Sequence, residues 1–149
     1  MVAPFNKRWS EWKLTDLPAV GTGEILPGLI SLIDDMDHYV GGSIYVHCIL
    51  DPDRALGNLH RVGMAADLHI GTLHPLDQFV VAGRFGFTGI GVYGSDVWRH
   101  PGLHVDVRVV KVGARWGCRE RGPSGTSNTT REYVALDKAF ISGLLDIMP

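Results

Sequence analysis

Two histidines and one aspartate are the residues of this sequence whose types and spacing could do chemistry. His60 and Asp67 lie seven positions apart, and His104 follows in a segment with the pattern of a strand. Two imidazoles and one carboxylate are a common ligand set for a catalytic zinc ion, which keeps a fourth position open for water. The three residues therefore predict a metal site that supports hydrolysis.

The segment from Leu103 to Val110 predicts a strand, because polar and apolar residues alternate along it. His104, Asp106 and Arg108 would share one face of that strand, as expected for the floor of a polar cleft. Asp106 is the first candidate for the proton acceptor that a hydrolase needs. An equally weighted alternative is a carboxylate that holds a histidine ligand by a hydrogen bond. His100 is the second candidate acceptor.

Other residues are candidates for substrate binding. Arg54, Arg108 and Arg115 could anchor a terminal carboxylate, because a guanidinium pairs with a carboxylate in a two-bond fork. Tyr93 could line a groove for a peptide or glycan strand. The alternative for each is an ordinary surface arginine or a core aromatic residue.

The composition is that of a globular domain. The chain has 149 residues, of which 45% are hydrophobic and 20% charged, with a formal net charge of −2. These values predict one domain with an ordinary core. The charge balance argues against nucleic acid as a partner, because such binding needs a basic face.

The chain contains two cysteines, Cys48 and Cys118, which are too far apart for a zinc-knuckle motif. We expect two buried thiols, with a single disulfide as the alternative. The first residues lack the apolar stretch of a signal peptide, and no apolar stretch is long enough to span a membrane. The sequence as given therefore predicts a cytoplasmic chain.

The order of predicted elements indicates the fold class. Residues 1–22 are expected to form an N-terminal arm, and residues 23–149 a single domain. Within that domain the sequence predicts helices over Glu24–Val40, from Pro75 to about Arg84 and from about Leu136 to Met148, strands over Ser43–Leu50, Ala65–Ile70, Gly89–Tyr93, Leu103–Val110 and Val112–Cys118, and a loop over Glu120–Arg131. This order predicts an α+β domain with a mostly antiparallel central sheet flanked by helices.

The segments that hold these residues resemble the M15 family of zinc peptidases, which comprises D-alanyl-D-alanine carboxypeptidases and related murein peptidases. About half of the chain, residues 43–118, carries the resemblance, through the patterns His60-x-x-Gly63-x-Ala65-x-Asp67, Gly89-Ile90-Gly91-x-Tyr93, His104-x-Asp106 and Arg115-Trp116. The family shares its fold with the hedgehog signalling domain. The matching His, Asp and His residues bind zinc in that family, so the resemblance implies the same role for His60, Asp67 and His104.

The resemblance also implies a substrate and a setting. The expected activity is zinc-dependent hydrolysis of peptidoglycan stem peptides or cross-links, as a carboxypeptidase or an endopeptidase. The expected setting is either a phage or prophage enzyme that reaches the cell wall after release or a cytoplasmic enzyme that trims muropeptides. Separately from the resemblance, we expect a monomer.

Two departures from the family pattern leave a second function open. Asn58 stands where the family usually has serine, and Pro101 stands where many members carry an acidic residue that acts as the base. The alternative function is therefore a zinc-containing recognition or structural domain of the same fold, with weak or no peptidase activity.

Overall fold

The computed structural model describes residues 7–13, 15, 17, 24–120 and 131–147. The elements in chain order are β1 (Lys7–Arg8), a 3₁₀ helix (Trp9–Glu11), α1 (Pro27–Tyr39), β2 (Ile44–Cys48), β3 (Ala65–Ile70), α2 (Pro75–Ala82), β4 (Gly89–Tyr93), β5 (Gly102–Asp106), β6 (Ala114–Glu120), β7 (Arg131–Val134) and α3 (Lys138–Ile147). The predicted loop after Glu120 lies, over residues 121–130, outside the described residues.

The strands form one seven-stranded sheet in the order β1-β2-β3-β5-β4-β6-β7. Every neighbouring pair is antiparallel except β4 and β6, which are parallel. The expected α+β class with a mostly antiparallel sheet is confirmed. None of the helices described is long and apolar enough to cross a membrane.

The hydrophobic core covers one face of this sheet. Alternate residues of the central strands, such as Ile90 in β4 and Val105 in β5, are fully buried there. Side chains of α1 and α3, among them Leu29 and Phe140, belong to the same core cluster. Burying a side chain of this size stabilises the fold by roughly 1.5–3 kcal/mol. The helices therefore cover one face and leave the other for polar side chains.

The predicted bounds of β3 and β4 are confirmed, and those of α1 are wrong at its start. The helix begins at Pro27 instead of Glu24. Proline has no amide hydrogen and a fixed φ, which suit the first helical position. At the other end Gly41 and Gly42 adopt positive φ angles of 74° and 78°, and the helix ends at Tyr39, one residue before the predicted Val40.

The expected strand over Leu103–Val110 is wrong beyond Asp106. In β5, Asp106 pairs with Ala65 on one side and with Gly89 on the other, and these are the first residues of β3 and β4. No partner strand extends further, so the ladder stops. Past this point Val107 still packs against the core, whereas Val109 is 95% exposed.

Other element ends move by a few residues. Strand β2 is shorter than expected by one residue at its start and two at its end, and β6 runs from Ala114 to Glu120 instead of Val112 to Cys118. Helix α2 ends at Ala82, before the expected Arg84, and α3 begins at Lys138. Within residues 1–22, β1 pairs with β2 at the sheet edge, and Trp9 is buried in the core.

Two glycines of β4 make room for large side chains on the polar face. A Cβ at Gly91 would lie 2.4 Å from the ring of Trp116, and a Cβ at Gly89 would lie 2.2 Å from the carboxylate of Asp106. The Gly-Ile-Gly pattern therefore exists because the residues beside it need that space.

We predict that Gly91→Ala lowers the free energy of unfolding by about 1–3 kcal/mol, because the indole of Trp116 or the strand must move. Urea unfolding followed by tryptophan fluorescence measures this change. Gly143→Ala in α3 is the matched control, since a Cβ there meets nothing within 4 Å. The free energy of unfolding of the control should rise by about 0.5–1 kcal/mol. Equal stability of the two variants would contradict the steric argument.

Candidate metal centre

Strand register places two of the predicted ligands side by side. Asp67 in β3 is the direct partner of His104 in β5. Directly paired residues of antiparallel strands project from the same face of a sheet. Both side chains therefore stand on the face opposite the core.

The third predicted ligand, His60, comes from the connection between β2 and β3. Its backbone N–H donates to the side-chain oxygen of Asn58 at 3.0 Å, and its carbonyl accepts the N–H of Asp51 at 3.0 Å. Gly63 then turns the chain with a φ of 71°, and a Cβ there would lie 1.8 Å from the carbonyl oxygen of Glu24. Only glycine fits this turn, which directs His60 over the sheet.

The three side chains converge on one point. The Oδ1 atom of Asp67 lies 3.2 Å from Nε2 of His60 and 3.0 Å from Nδ1 of His104. One donor atom from each residue lies within 4.8 Å of the others. The two imidazole rings meet edge to face, with centroids 5.1 Å apart. The cluster could therefore hold a metal ion.

The partly buried carboxylate of Asp67 controls the electrostatics of this cluster. Burial disfavours charge on Asp67, but hydrogen bonds from His104 and His60 outweigh it and hold the pKa of the carboxyl well below its usual range. Burial also lowers the pKa of each histidine, and the hydrogen bonds that the rings donate to neighbouring groups, chiefly Asp67 and Asp106, overcome this effect and raise both values to about 9. Asp67 thus stabilises positive charge placed between the two rings.

Asp106 lies behind His104, away from Asp67. Its Oδ2 atom is 2.9 Å from Nε2 of His104, the ring nitrogen not directed at Asp67. Arg108 donates to both oxygens of the same carboxylate, and Asp106 is fully buried. Burial raises the pKa of Asp106, but the hydrogen bonds from Arg108 and His104 outweigh this effect and keep the pKa below its usual range. This arrangement favours the role of holding a histidine ligand over that of proton acceptor.

A cleft of about 1110 Å³ opens over the cluster. Three of the four predicted substrate-binding residues line it, namely Arg54, Tyr93 and Arg108. The ring of Tyr93 stacks on Trp98 with centroids 4.1 Å apart, and Arg54 is paired with Asp51 at 2.8 Å. Arg108 lines the cleft, but its Nε and Nη2 atoms donate hydrogen bonds to Asp106.

Arg115 and His100 are not among the residues that line the cleft. Arg115 pairs in the sheet with Ile90, which belongs to the core face, and its guanidinium donates to the carbonyl of Phe87. His100 stacks on His69 with centroids 5.0 Å apart. The structure therefore separates Arg115 from the cluster and places His100 against another histidine.

The sequence pattern did not identify His47 or Cys48 as cleft residues, although both line it. The pairing of β2 with β3 shifts register between Val46 and Cys48. A bulge of this kind adds one residue to a strand and re-aims the side chains next to it. Strict alternation cannot locate such a bulge, so no signal in the sequence marks these two residues.

The bulge brings two buried histidines into contact. Nε2 of His47 lies 2.6 Å from Nδ1 of His69, and the ring of His69 stacks on Tyr45. Burial is the main cause that lowers the pKa of each histidine to about 4. Both rings are therefore neutral near pH 7.

Comparisons of the chain with models of known protein families, with curated proteins and with solved structures found no match.

We predict that His60→Ala and His104→Ala each weaken binding of a divalent transition metal by more than about 100-fold, because each removes a nitrogen ligand. Competition with a chromophoric chelator measures the affinity. His38→Ala, on the exposed side of α1, is the control and should bind like the wild type. Unchanged affinity in the two cluster variants would place the metal elsewhere.

We predict that stability falls as the pH is lowered from about 6.5 towards 4. The unfolded chain takes up protons on His47 and His69 near pH 6.5, while the folded chain does so only near pH 4. His69→Phe keeps an aromatic ring against Tyr45 and should flatten this decline in urea-unfolding experiments across the pH range. His38→Phe is the control, and an equal decline in both variants would contradict the assignment.

Proposed function

We propose that the chain is a zinc-dependent peptidase that hydrolyses peptidoglycan stem peptides or cross-links, with a fold of the hedgehog and DD-peptidase type. The supporting observation is the convergence of His60, Asp67 and His104 at the floor of an open cleft. These are the residues that the resemblance to M15 peptidases marks as ligands.

The donor set fits zinc. Two imidazole nitrogens and one carboxylate oxygen are typical of catalytic zinc sites, with bonds of about 2.0–2.2 Å. Tetrahedral bonds of that length place neighbouring donor atoms about 3.3 Å apart. The separations of 3.2 Å and 3.0 Å from Asp67 to the two histidines are close to this spacing. The carboxylate of Asp106 on His104 completes the arrangement common around zinc-binding histidines.

The bound ion would supply a Lewis acid and lower the pKa of a water molecule towards about 7. Asp67 provides the negative charge that holds the ion, and Asp106 fixes the ring orientation of His104. Arg108 neutralises Asp106, so a second carboxylate is buried near the site without an unpaired charge. The chain thus positions the ligands before any substrate arrives.

The proton acceptor must come from the cleft wall, because the carboxylate of Asp106 is buried behind His104. Asp51 and His47 line the cleft and are outside the ligand set. The pKa of Asp51 is lowered chiefly by its hydrogen bond with Arg54, and that of His47 by burial, so Asp51 is charged and His47 is neutral at neutral pH. We assign proton transfer to this part of the wall.

Substrate binding follows from the groups that remain available. Asp106 engages Arg108 through two hydrogen bonds, so this guanidinium is a poor anchor for another carboxylate. Arg54 and Arg99 line the cleft and are exposed, and Arg54 gives Asp51 one donor, Nε, where Arg108 gives Asp106 two. We assign the terminal carboxylate of a peptide to these two, and the peptide backbone to the stacked pair of Tyr93 and Trp98.

One observation favours a second candidate function, a zinc-containing recognition domain. Pro101 occupies the position where many M15 members carry the acidic base, and its carbonyl accepts a hydrogen bond from Gln78 at 3.2 Å. Pro101 therefore joins the start of β5 to α2 and offers no acidic side chain to the cleft. A chain that kept zinc without a base would bind peptidoglycan peptides without cutting them.

Digestion of purified murein separates the two functions. We predict that the zinc-loaded protein releases D-alanine or new amino termini, that a chelator abolishes the release, and that added zinc restores it. His60→Ala is the matched inactive control. Full zinc occupancy without any product would contradict the peptidase and support the recognition domain.

We predict that Asp106→Asn weakens zinc binding by about 10–100-fold and that saturating zinc restores most of the activity, because the amide holds His104 less firmly. Asp51→Asn should keep the zinc affinity and lower kcat if Asp51 accepts the proton. Zinc titration and steady-state kinetics on both variants test this. If Asp106→Asn lost activity but kept normal zinc affinity, Asp106 and not Asp51 would be the proton acceptor.

A further inference from the structure

The cleft continues from the metal cluster across β4 and β6 to the edge strand β7. His104 of β5 and Trp116 of β6 are both register partners of Gly91 in β4. Because Gly91 has no side chain, the indole of Trp116 lies over it and reaches His104, with ring centroids 5.3 Å apart. An indole therefore extends the floor of the cleft beyond the cluster.

Two side chains of β7 stand at the far end of this floor. Tyr133 is the direct partner of Cys118, which shares the polar face of β6 with Trp116. Arg131 lies two residues before Tyr133 and so projects from the same face, and both residues line the cleft. Tyr133 is 64% exposed, so its ring is accessible to a ligand.

The sheet sets the distance between these two residues and the metal cluster. Asp67 and His104 stand on β3 and β5, and β7 is the third strand beyond β5. Neighbouring strands are about 4.8 Å apart, so β7 lies roughly 14 Å from β5. An extended peptide that crosses the cleft would span this distance with about three to four residues.

The cleft carries more positive than negative charge, although the formal net charge of the chain is −2. Among the described residues, four arginines and two aspartates line it. Asp51 pairs with Arg54, and Asp67 lies between the two histidine ligands. Neither aspartate therefore offsets the remaining arginines, and the surplus favours an anionic ligand.

Arg131 is the arginine at the β7 end of the cleft. Its neighbour Glu132 lies on the opposite face of the sheet, where it accepts a hydrogen bond from Arg119 at 3.0 Å. No carboxylate among the side chains that the structure describes pairs with Arg131, which is partly exposed. A guanidinium in this position can bind a carboxylate of a ligand through two parallel hydrogen bonds.

We propose that Arg131 is a specificity residue, which binds a substrate carboxylate about three to four residues before the bond that is cut, beside the ring of Tyr133. This inference rests on the proposed function. It also orients the peptide, with the terminal carboxylate at Arg54 and Arg99 and the preceding residues over Trp116. The substrate class is an acidic peptide with a free carboxylate upstream of the scissile bond.

Two synthetic peptides test this assignment. One is L-Ala-γ-D-Glu-L-Lys-D-Ala-D-Ala, whose glutamate is the third residue before the terminal peptide bond, and the other carries an amide in place of the glutamate α-carboxylate. Isothermal titration of the full chain, with a chelator to prevent hydrolysis, measures both affinities. We expect the carboxylate peptide to bind about 10-fold more tightly than the amide, because only the carboxylate pairs with the guanidinium.

Substitutions at Arg131 should change this preference. We expect Arg131→Gln to abolish it by weakening the carboxylate peptide alone, and Arg131→Lys, which keeps the charge without the two-bond geometry, to leave an intermediate preference. Arg119→Gln is the matched control, because Arg119 is an exposed arginine on the opposite face of β6, and it should keep the wild-type preference.

Three results would overturn the inference. They are equal affinity of the wild type for the two peptides, equal weakening of both peptides by Arg131→Gln, and equal effects of Arg131→Gln and Arg119→Gln on the carboxylate peptide.

This inference and the proposed function can fail separately. A carboxylate preference that depends on Arg131, without any product from murein, would overturn the proposed hydrolysis and leave the subsite as part of a recognition domain. Release of murein products by a chain that does not distinguish the two peptides would overturn the assignment of Arg131 alone.

Discussion

The structure depends on one partly buried negative charge, the carboxylate of Asp67, whose Oδ1 atom lies between two imidazole rings. A carboxylate in this position is costly unless it is paired, and its Oδ1 atom lies within 3.2 Å of a nitrogen from each ring. The partners come from different parts of the chain, a turn and a neighbouring strand. The Asn58 and Gly63 turn and the register of β3 with β5 are both needed to bring them to the same atom.

The two faces of the sheet differ in character, because one is apolar and the other is polar. One face carries the apolar core with the helices, and the other carries Asp67, His104, Asp106 and Trp116. Because alternate residues of one strand serve both faces, β5 buries Leu103 and Val105 on one side and presents His104 and Asp106 on the other. A rigid core strand thus also supports His104 of the candidate metal centre, which limits how far this side chain can move.

Much of this arrangement could be predicted from the sequence. The spacing of His60, Asp67 and His104 indicated the cluster, and compact apolar runs fixed β3 and β4, because those signals are local. The end of β5 could not be predicted, since it depends on where β3 and β4 begin. The faces of Arg115 and Cys48 depend on the start of β6 and on a bulge in β2, and no periodicity encodes either.

The ligands and the outer cleft wall come from different stretches of the chain. His60, Asp67 and His104 lie within one continuous segment, whereas Arg131 and Tyr133 line the cleft from β7, which pairs only with β6 at the far edge of the sheet. An edge strand has one neighbour, so its residues can change at low cost to the rest of the ladder. Replacing the residues of β7 would therefore reshape the outer cleft wall without disturbing the cluster of His60, Asp67 and His104.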